Sequence, residues 1–352
     1  MFNYFLRKLG YGLLVMFGIT TILFLLFAIL PGDAARMTQG QRTDVASLEA
    51  VRKEFGLDQP KHIQFIKYLN DLSPISIHEN DSVNQKKYDY LKLFNVSSSN
   101  VLVFKSPYLR RSYQSQKKVS DILLETIPNT GILAIVAMLF ACLVGIFLGV
   151  LAALYRDTWI DKFSLSFAIL NVSMPSFFAG IIIAWFFAFL LGDYTGLNLS
   201  GSLYDYDPFQ GRILNLSNLI LPALTLGLRP LSIIVQLTRS SMLDVLSKDY
   251  IRTAKAKGLS NRQIIWNHAL KNALNPVVTA VSGWFASLMA GAFFVEYIFG
   301  WNGLGKVTVD ALELSDLPVV MGAVLFIAMI FVIINILVDV LYAVLDPRVR
   351  LE

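Results

Sequence analysis

Long uncharged stretches dominate this chain and alternate with short polar segments. A helix needs about 20 apolar residues to cross a bilayer core, and five stretches without Asp, Glu, Lys or Arg approach or exceed that length: Leu13–Leu30, Gly131–Tyr155, Phe163–Gly192, Pro276–Val295 and Leu317–Val338. A sixth, roughly Leu219–Leu237, is interrupted only by Arg229. The pattern predicts an all-α polytopic membrane protein with six transmembrane helices.

Composition agrees with this prediction. Hydrophobic residues make up 55% of the 352 residues and charged residues 16%, whereas a soluble domain carries about 25% charged residues. The single Cys142 lies in an apolar stretch and forms no disulfide framework. The net charge of +5 follows from the asymmetry of the loops described next, and it gives no argument for nucleic acid as a partner.

Basic residues in the short loops set the orientation, because cytoplasmic loops are enriched in Lys and Arg. The short loops on one side hold only Arg212 and Lys306. The other side, which we therefore assign to the cytoplasm together with both termini, holds the rest: Arg7, Lys8, Arg156, Lys162, Arg239, Lys248, Arg252, Lys255, Lys257, Arg262, Lys271, Arg348 and Arg350. The predicted parts are a cytoplasmic end and first helix (1–30), a large external loop (31–125) and a five-helix core (126–352).

The polar segment 239–275 stands between two apolar stretches on the cytoplasmic side and reads as two short amphipathic helices. Ser247 is suited to cap the first helix, and Gly258 suits the left-handed position that ends it. Ser260 and Gln263 have the spacing of a capping box that starts the second helix. Membrane proteins with such an exposed docking element are usually driven by a soluble partner.

The letters of this segment resemble a known signature. D-Y-I-R-T-A-K-A-K-G-L-S, followed by H-A-L-K-N-A-L-N-P, is similar to the cytoplasmic "EAA" loop of binding-protein-dependent ABC importer permeases, in the branch that takes up dipeptides, oligopeptides or nickel. Shorter matches bring the resemblance to about three quarters of the chain and leave Leu72–Asp121 out; they include Leu30–Ala35, Gly56–Pro60, Arg156–Thr158, Met174–Phe177, Glu296–Gly305, Ser315–Pro318, Asp339, Tyr342 and Asp346–Arg348.

The resemblance implies a non-catalytic permease subunit with the type I ABC importer fold, located in a bacterial inner membrane and forming half of a translocation pathway. It implies four kinds of partner: a second permease subunit, cytoplasmic ATP-binding subunits, an external substrate-binding protein and the lipid bilayer. ATP and Mg²⁺ belong to the ATP-binding subunits, and the chain itself is expected to bind no cofactor or metal. Dipeptides or oligopeptides are the expected cargo, with nickel or other small solutes as the alternative.

The same resemblance assigns the ATPase-coupling role to one set of residues: Asp249, Tyr250, Arg252, Thr253, Ala254, Lys255, Ala256, Gly258 and Leu259. A short rigid helix here would sit in a groove of the ATPase and move as a lever. Ala254 and Ala256 keep such a helix slim, and Gly258 permits a sharp reversal of the chain. Its basic residues suit acidic groove residues or anionic lipid heads.

Two charged residues near the apolar stretches are further candidates. Arg229 lies about ten residues into its stretch, and an arginine at that depth usually faces the bundle interior or an aqueous cavity. We expect it to line the translocation path and meet a carboxylate of a passing peptide; a buried arginine satisfied by carbonyls, or a snorkelling one, is the alternative. Glu296, at the external end of the fifth stretch, is a candidate for an external gate, or else a solvated interfacial carboxylate.

Two other function classes remain open from the residues alone. A gradient-driven secondary transporter would need intramembrane carboxylates or histidines, and the stretches hold only Arg229 at mid-depth. A channel or scaffold subunit would not need the cytoplasmic element. Enzymatic activity is not expected: His62, His78 and His268 are scattered, and the P-loop-like run from Gly300 to Lys306 is followed by Val307 where a Ser or Thr is needed.

Overall fold

The computed structural model describes residues 2–29, 58–97, 99–209, 211–289 and 292–345. Its elements in chain order are α1 (Phe2–Ile29), α2 (Lys61–Leu72), β1 (Ile75–Glu79), α3 (Ser82–Tyr88), β2 (Leu91–Asn95), β3 (Asn100–Phe104), α4 (Val119–Leu154), α5 (Trp159–Ser173), α6 (Ser176–Ile183), π1 (Ala184–Leu190), α7 (Gly192–Thr195), β4 (Tyr204–Asp207), β5 (Gly211–Leu214), α8 (Ser217–Leu246), α9 (Asp249–Ala256), α10 (Asn261–Gln263), π2 (Ile264–Leu270), α11 (Lys271–Ala273), α12 (Asn275–Met289), α13 (Phe293–Ile298), α14 (Leu304–Glu313) and α15 (Leu317–Leu345). Some of the stretches that resemble the permease family fall within residues 30–57 and 346–348, which lie outside the described residues.

Apolar helices long enough to cross a membrane confirm the polytopic prediction. Within the described residues, four helical stretches meet the length and hydropathy requirement: Leu6–Leu26, Val119–Leu154, Ser217–Leu246 and Leu317–Asp339. The predicted third span is divided into α5 and α6–π1, which meet at an angle of 113° and together would supply a fifth. Pro175 explains the break: it cannot donate a backbone hydrogen bond, and Met174 before it adopts an extended conformation with ψ of 131°.

The predicted fifth span, Pro276–Val295, does not appear as a single long helix either. α12 ends at Met289 and α13 begins at Phe293, with residues 290 and 291 outside the described part of the chain. The count of six transmembrane helices and the shared side of the two termini therefore stay predictions.

The chain is mainly helical, as expected, and its described part also contains two small β-sheets. Between α2 and α4 lies a three-stranded antiparallel sheet of order β1-β3-β2, and β4 pairs with β5 in a hairpin before α8. Both sheets lie in segments that the loop charges assign to the external side. Strand pairing joins residues distant in sequence, so the helical spans give no signal for it.

The described residues divide into two compact units. The larger draws on Met1–Gly10, Thr126–Val307 and Ile327–Glu352, and the smaller on Tyr11–Glu125 and Thr308–Phe326. In the larger unit α8 packs against α5, α6 and α12. One hydrophobic cluster, which includes Leu133, Ala137, Leu231 and Ile234, fills the interior beside α4.

α4 and α8 approach closely in the larger unit because α4 carries glycine at the contact. A Cβ atom on Gly149 would lie 2.6 Å from Cβ of Thr238 and 2.8 Å from the carbonyl oxygen of Val235. A Cβ atom on Gly145 would lie 2.9 Å from Ile234. The G-x-x-x-G pair therefore serves helix packing within the subunit, as such motifs do in membranes.

The smaller unit contains a compact subdomain whose buried polar groups meet at Asp71. The Asp71 carboxylate accepts hydrogen bonds from Tyr88 Oη at 2.9 Å and from Arg110 Nε at 3.1 Å. The ammonium of Lys105, a residue only 3% exposed, donates to the backbone carbonyl of Asp71. Burial lowers the pKa of Lys105 to about 8, and the charge of Asp71 partly opposes that shift.

Asp316 attaches the last part of this loop to the start of α15 within the smaller unit. Its buried carboxylate accepts hydrogen bonds from Ser112 Oγ at 2.5 Å and from the backbone N–H of Tyr113 at 2.9 Å. A buried carboxylate needs such donors, so this contact fixes residues 112–114 onto the helix.

We predict that the subdomain becomes more stable as the pH rises from 7 to 9. The folded state releases the Lys105 proton near pH 8, whereas an unfolded lysine holds it to a pH near 10.5, so the unfolded state binds more protons in this window. The gain is about 1 kcal/mol. Hydrogen-exchange protection factors of the β3 amides, corrected for intrinsic exchange rates, measure it. The gain should vanish in Lys105→Met and persist in the exposed Lys86→Met; an equal gain in all three proteins would contradict the assignment.

Candidate functional site

The segment predicted to be cytoplasmic begins later in the structure than its sequence suggested. α8 continues through Arg239 to Leu246, and α9 covers Asp249–Ala256. Ser247 is not the cap of α9, because its Oγ donates to the backbone carbonyl of Asp244 at 2.7 Å and Lys248 occupies the cap position. The prediction for Ser247 is therefore wrong, since the hydroxyl satisfies the preceding helix.

α9 has one buried face and one exposed face. Ile251 is fully buried and Ala254 is 6% exposed; both join a cluster with Val150 and Ala153 of α4 and Met242 of α8. The exposed residues of α9 are Asp249, Tyr250, Arg252, Thr253, Lys255 and Ala256. The structure thus divides the two predicted small residues: Ala254 packs inside the subunit, and Ala256 lies on the surface.

Gly258 and the residues after it match their predictions. Gly258 has a φ of +79°, the left-handed conformation in which glycine carries no penalty. The capping box is present, with Gln263 N–H donating to Ser260 Oγ at 3.3 Å and Ser260 N–H donating to Gln263 Oε1 at 3.0 Å. Leu259 is half-buried against the cluster beneath α9.

The second amphipathic helix is not a separate short element. α10, π2 and α11 follow one another without interruption, and Leu274 alone separates them from α12. Backbone hydrogen bonds from Leu274 N–H to the Leu270 carbonyl and from Val278 N–H to the Leu274 carbonyl carry the helix across that residue. The segment predicted to be cytoplasmic is therefore continuous with the predicted fifth span.

An ion pair that sequence reasoning missed joins α5 to α8 at the same end of the larger unit. Arg239 donates to Asp161 through Nε at 2.5 Å and through Nη2 at 2.7 Å. Asp161 is 2% exposed and also accepts the backbone N–H of Asp157 at 3.0 Å, close to the start of α5. The sequence signal for this pair was the position of Asp161 in the first turn of a helix. An acidic residue is favourable there even when it is exposed to solvent, so the signal did not reveal the ion pair.

Glu296 is fully buried, contrary to the alternative of a solvated carboxylate. Its Oε1 accepts a hydrogen bond from Thr130 Oγ1 at 2.8 Å, and its Oε2 accepts the backbone N–H of Gly305 at 2.7 Å and of Lys306 at 3.2 Å. The last two donors belong to the first turn of α14, where backbone N–H groups lack helical partners. Glu296 therefore caps α14 and ties it to Thr130 of α4.

Arg229 lines a cavity of about 180 Å³ in the larger unit. The side chain is exposed, and its guanidinium makes no hydrogen bond or ion pair with the part of the chain that the structure describes. Arg229 is therefore not a buried arginine whose hydrogen bonds are satisfied by carbonyls of the described residues. Asn171, Ser176, Trp284 and Ser287 share the lining.

Two family models match the chain. "Binding-protein-dependent transport system inner membrane component" matches residues 145–351, and the N-terminal model for the same class of membrane component matches residues 1–134. The second match includes residues 72–121, where the sequence resemblance had faded, so that segment also lies within the family pattern. The segment was missed because its motifs are weaker than those of residues 239–275.

Curated relatives cover nearly the whole chain. The glutathione transport system permease protein GsiC of Salmonella paratyphi A is 35% identical over 351 residues, which are 99% of each chain. A putative peptide transport system permease protein of Brucella abortus is 37% identical over 349 residues, which are 99% of this chain and 98% of that one. Among solved structures, an inward-facing form of the MetNI methionine ABC transporter is 16% identical, with a TM-score of 0.49, over 64% of this chain and 96% of that chain.

We predict that the Glu296 contacts stabilise the larger unit. Glu296→Ala leaves Thr130 and two backbone N–H groups without their acceptor and should lower the free energy of unfolding by about 3 kcal/mol or more. Glu296→Gln keeps one oxygen acceptor and should cost about 1 kcal/mol. Thermal unfolding in detergent measures both, with the exposed Glu125→Ala as control. Equal effects of Glu296→Ala and Glu125→Ala would refute the capping role.

Proposed function

The chain belongs to the family of binding-protein-dependent transport system inner membrane components, and from this premise we propose that it carries peptides across the membrane as one permease subunit of a type I ABC importer. It is a non-catalytic, multi-pass inner membrane protein whose ATPase is a separate subunit. Peptides are the proposed cargo because relatives at 35% and 37% identity are named for glutathione and peptide transport. Glutathione is itself a small peptide with free carboxylates.

The family implies an ATPase and a substrate-binding protein as partners. A second permease subunit completes the pathway in our proposal, since a single chain supplies only half of it, and both termini face the cytoplasm. Family membership also sets aside the gradient-driven transporter and the scaffold. ATP and Mg²⁺ are assigned to the ATPase.

The observation that carries the coupling proposal is the division of α9 into two faces. Its buried side, Ile251 and Ala254, rests on the cluster that also holds Val150 of α4 and Met242 of α8. Its exposed side presents Arg252, Lys255 and Ala256, together with the other exposed members of the coupling set. A partner that binds the exposed side and shifts α9 therefore also shifts α4 and α8, because they contact its buried side. Coupling by a two-state element generally takes this form.

Two further features transmit that movement in our proposal. The turn at Gly258 connects α9 to a nearly continuous helix that ends with α12, so a shift of α9 also moves α12. The bidentate contact between Arg239 and Asp161 joins α5 to α8 beside the same end. Three helices that line the cavity, α5, α8 and α12, are thus connected to one another at the proposed cytoplasmic end.

At the other end, we place Glu296 in the external gate as a fixed part of the outer connection. Its carboxylate holds the start of α14 against Thr130, so the segment that follows α13 cannot move freely while these bonds exist. Arg229 lies between the two ends, in the cavity, and we assign it to the wall of the translocation pathway. A gate that opens would need these Glu296 contacts to shift together.

The exposed face of α9 is tested by Ala256→Trp. The bulky side chain should reduce the amount of ATPase that purifies with the permease at least about fivefold, while thermal stability changes by no more than about 0.5 kcal/mol, as is usual for a surface substitution. Ala256→Ser is the matched control and should keep the ATPase. Full co-purification by Ala256→Trp would place the ATPase contact elsewhere on the chain.

The turn at Gly258 is tested by two substitutions that differ in their tolerance of positive φ. Gly258→Val introduces a β-branched residue at φ of +79° and should abolish ATP-dependent peptide uptake by reconstituted complexes. Gly258→Asn, which tolerates the left-handed region, should keep most of the uptake. Equal uptake by the two variants would show that the turn geometry is not required for coupling.

A further inference from the structure

The cavity beside Arg229 is built where four segments of the larger unit meet. It is lined by the middle of α8, the α5–α6 break at Met174, the end of α12 and the start of α13. Among the described residues that line it, Arg229 is the only charged one, and Asn171, Ser176, Thr225 and Ser287 contribute neutral polar groups. A single positive charge surrounded by neutral groups has the chemistry of an anion site.

The depth of Arg229 makes this charge unusual. It stands twelve residues after Ser217, the start of α8, which corresponds to about 18 Å along a helix. An arginine at such a depth is unfavourable unless it meets an acceptor or water. Within the described residues its guanidinium has no acceptor, so the site offers a planar, five-donor cation to whatever enters the cavity.

We infer that this cavity is a subsite for the C-terminal residue of a peptide, in which Arg229 binds the terminal carboxylate and Trp284 forms the wall for the last side chain. The inference rests on the proposed function and names the substrate class of that pathway: peptides with a free carboxyl terminus. An arginine fork matches a carboxylate in bidentate geometry, which a lysine does not reproduce.

Trp284 gives the subsite its apolar side. It is half-buried on α12 and lines this cavity as well as an adjoining one of about 380 Å³ that includes Ala280, Gly283 and Ser287. The indole presents a large flat surface at small cost in conformational entropy. Asn171 has its amide Nδ2 occupied by the Phe167 carbonyl at 2.8 Å, which leaves Oδ1 as an acceptor for a peptide N–H.

The size of the cavity limits what it can select. Sites that enclose a drug-sized ligand measure roughly 300–1,000 Å³, and this cavity measures about 180 Å³. It accommodates a terminal residue and not a whole oligopeptide. Selection at this cavity therefore acts on the carboxyl terminus and the last side chain of the peptide. The rest of the peptide is not recognised there.

Direct binding is tested by saturation-transfer NMR on the full chain purified in detergent, with alanyl-alanine and its C-terminal amide as probes. Alanyl-alanine should receive saturation and the amide much less. Arg229→Gln should lower the signal of the acid at least about fivefold, and Arg229→Lys should retain part of it. Trp284→Leu should weaken saturation of the terminal methyl group. Arg212→Gln, on the external hairpin, is the matched control and should behave as the unchanged protein.

Uptake by the reconstituted complex separates this inference from the proposed function. The ratio of acid uptake to amide uptake is compared between the unchanged permease and Arg229→Gln, so that any preference of the unchanged binding protein cancels. The ratio should fall about tenfold, the effect of losing a charge-assisted contact.

Equal losses for acid and amide, or no loss for either, would overturn the subsite while leaving peptide import intact. Absence of ATP-dependent uptake of either probe by the unchanged complex would instead contradict the proposed function. In that case the NMR comparison still decides the subsite: saturation of acid and amide to the same degree, or saturation unaffected by Arg229→Gln, refutes it.

Discussion

The close contact of α4 with α8 is the constraint on which the larger unit depends. In lipid there is little hydrophobic force between helices, so association relies on close packing and on polar contacts. Gly145 and Gly149 allow α8 to approach α4 closely enough for Val235 and Thr238 to touch its backbone. The contact aligns the ends of both helices at which Val150 and Met242 form the surface on which α9 rests. In our proposal, α9 and the two helices that it moves are therefore held together by one packing interaction.

Buried carboxylates form the second layer of organisation. Glu296 and Asp161 in the larger unit, and Asp316 in the smaller, each accept donors from a distant part of the chain. Because a buried charge without partners is strongly unfavourable, each carboxylate fixes two segments against each other. Arg229 differs from all three, since it has no partner among the described residues. A charge that these residues leave without a partner is available to a ligand.

Proline and glycine account for the departures from regular spans. Pro175 turns one predicted span into two helices at 113°, and this bend places Met174 and Ser176 in the wall of the cavity. Gly258 reverses the chain after α9, so that the following helix returns toward the same cluster. Each residue is visible in the sequence, but the angle at Pro175 depends on the helices that pack against both sides of the break.

The sequence alone determined the membrane class, the family, the capping box at Ser260 and the left-handed turn at Gly258, because hydropathy and backbone conformation are local properties. It could not show which side of α9 is buried, and it treated Ala254 and Ala256 alike. Nor could it show that Arg239 pairs with Asp161, which is 78 positions away. The burial of Glu296 beside Gly305 and the strands in the predicted external loop were likewise not predictable. These features depend on which distant segments meet, and only the tertiary structure decides that, because the free energy of a buried polar group is set by its neighbours in space.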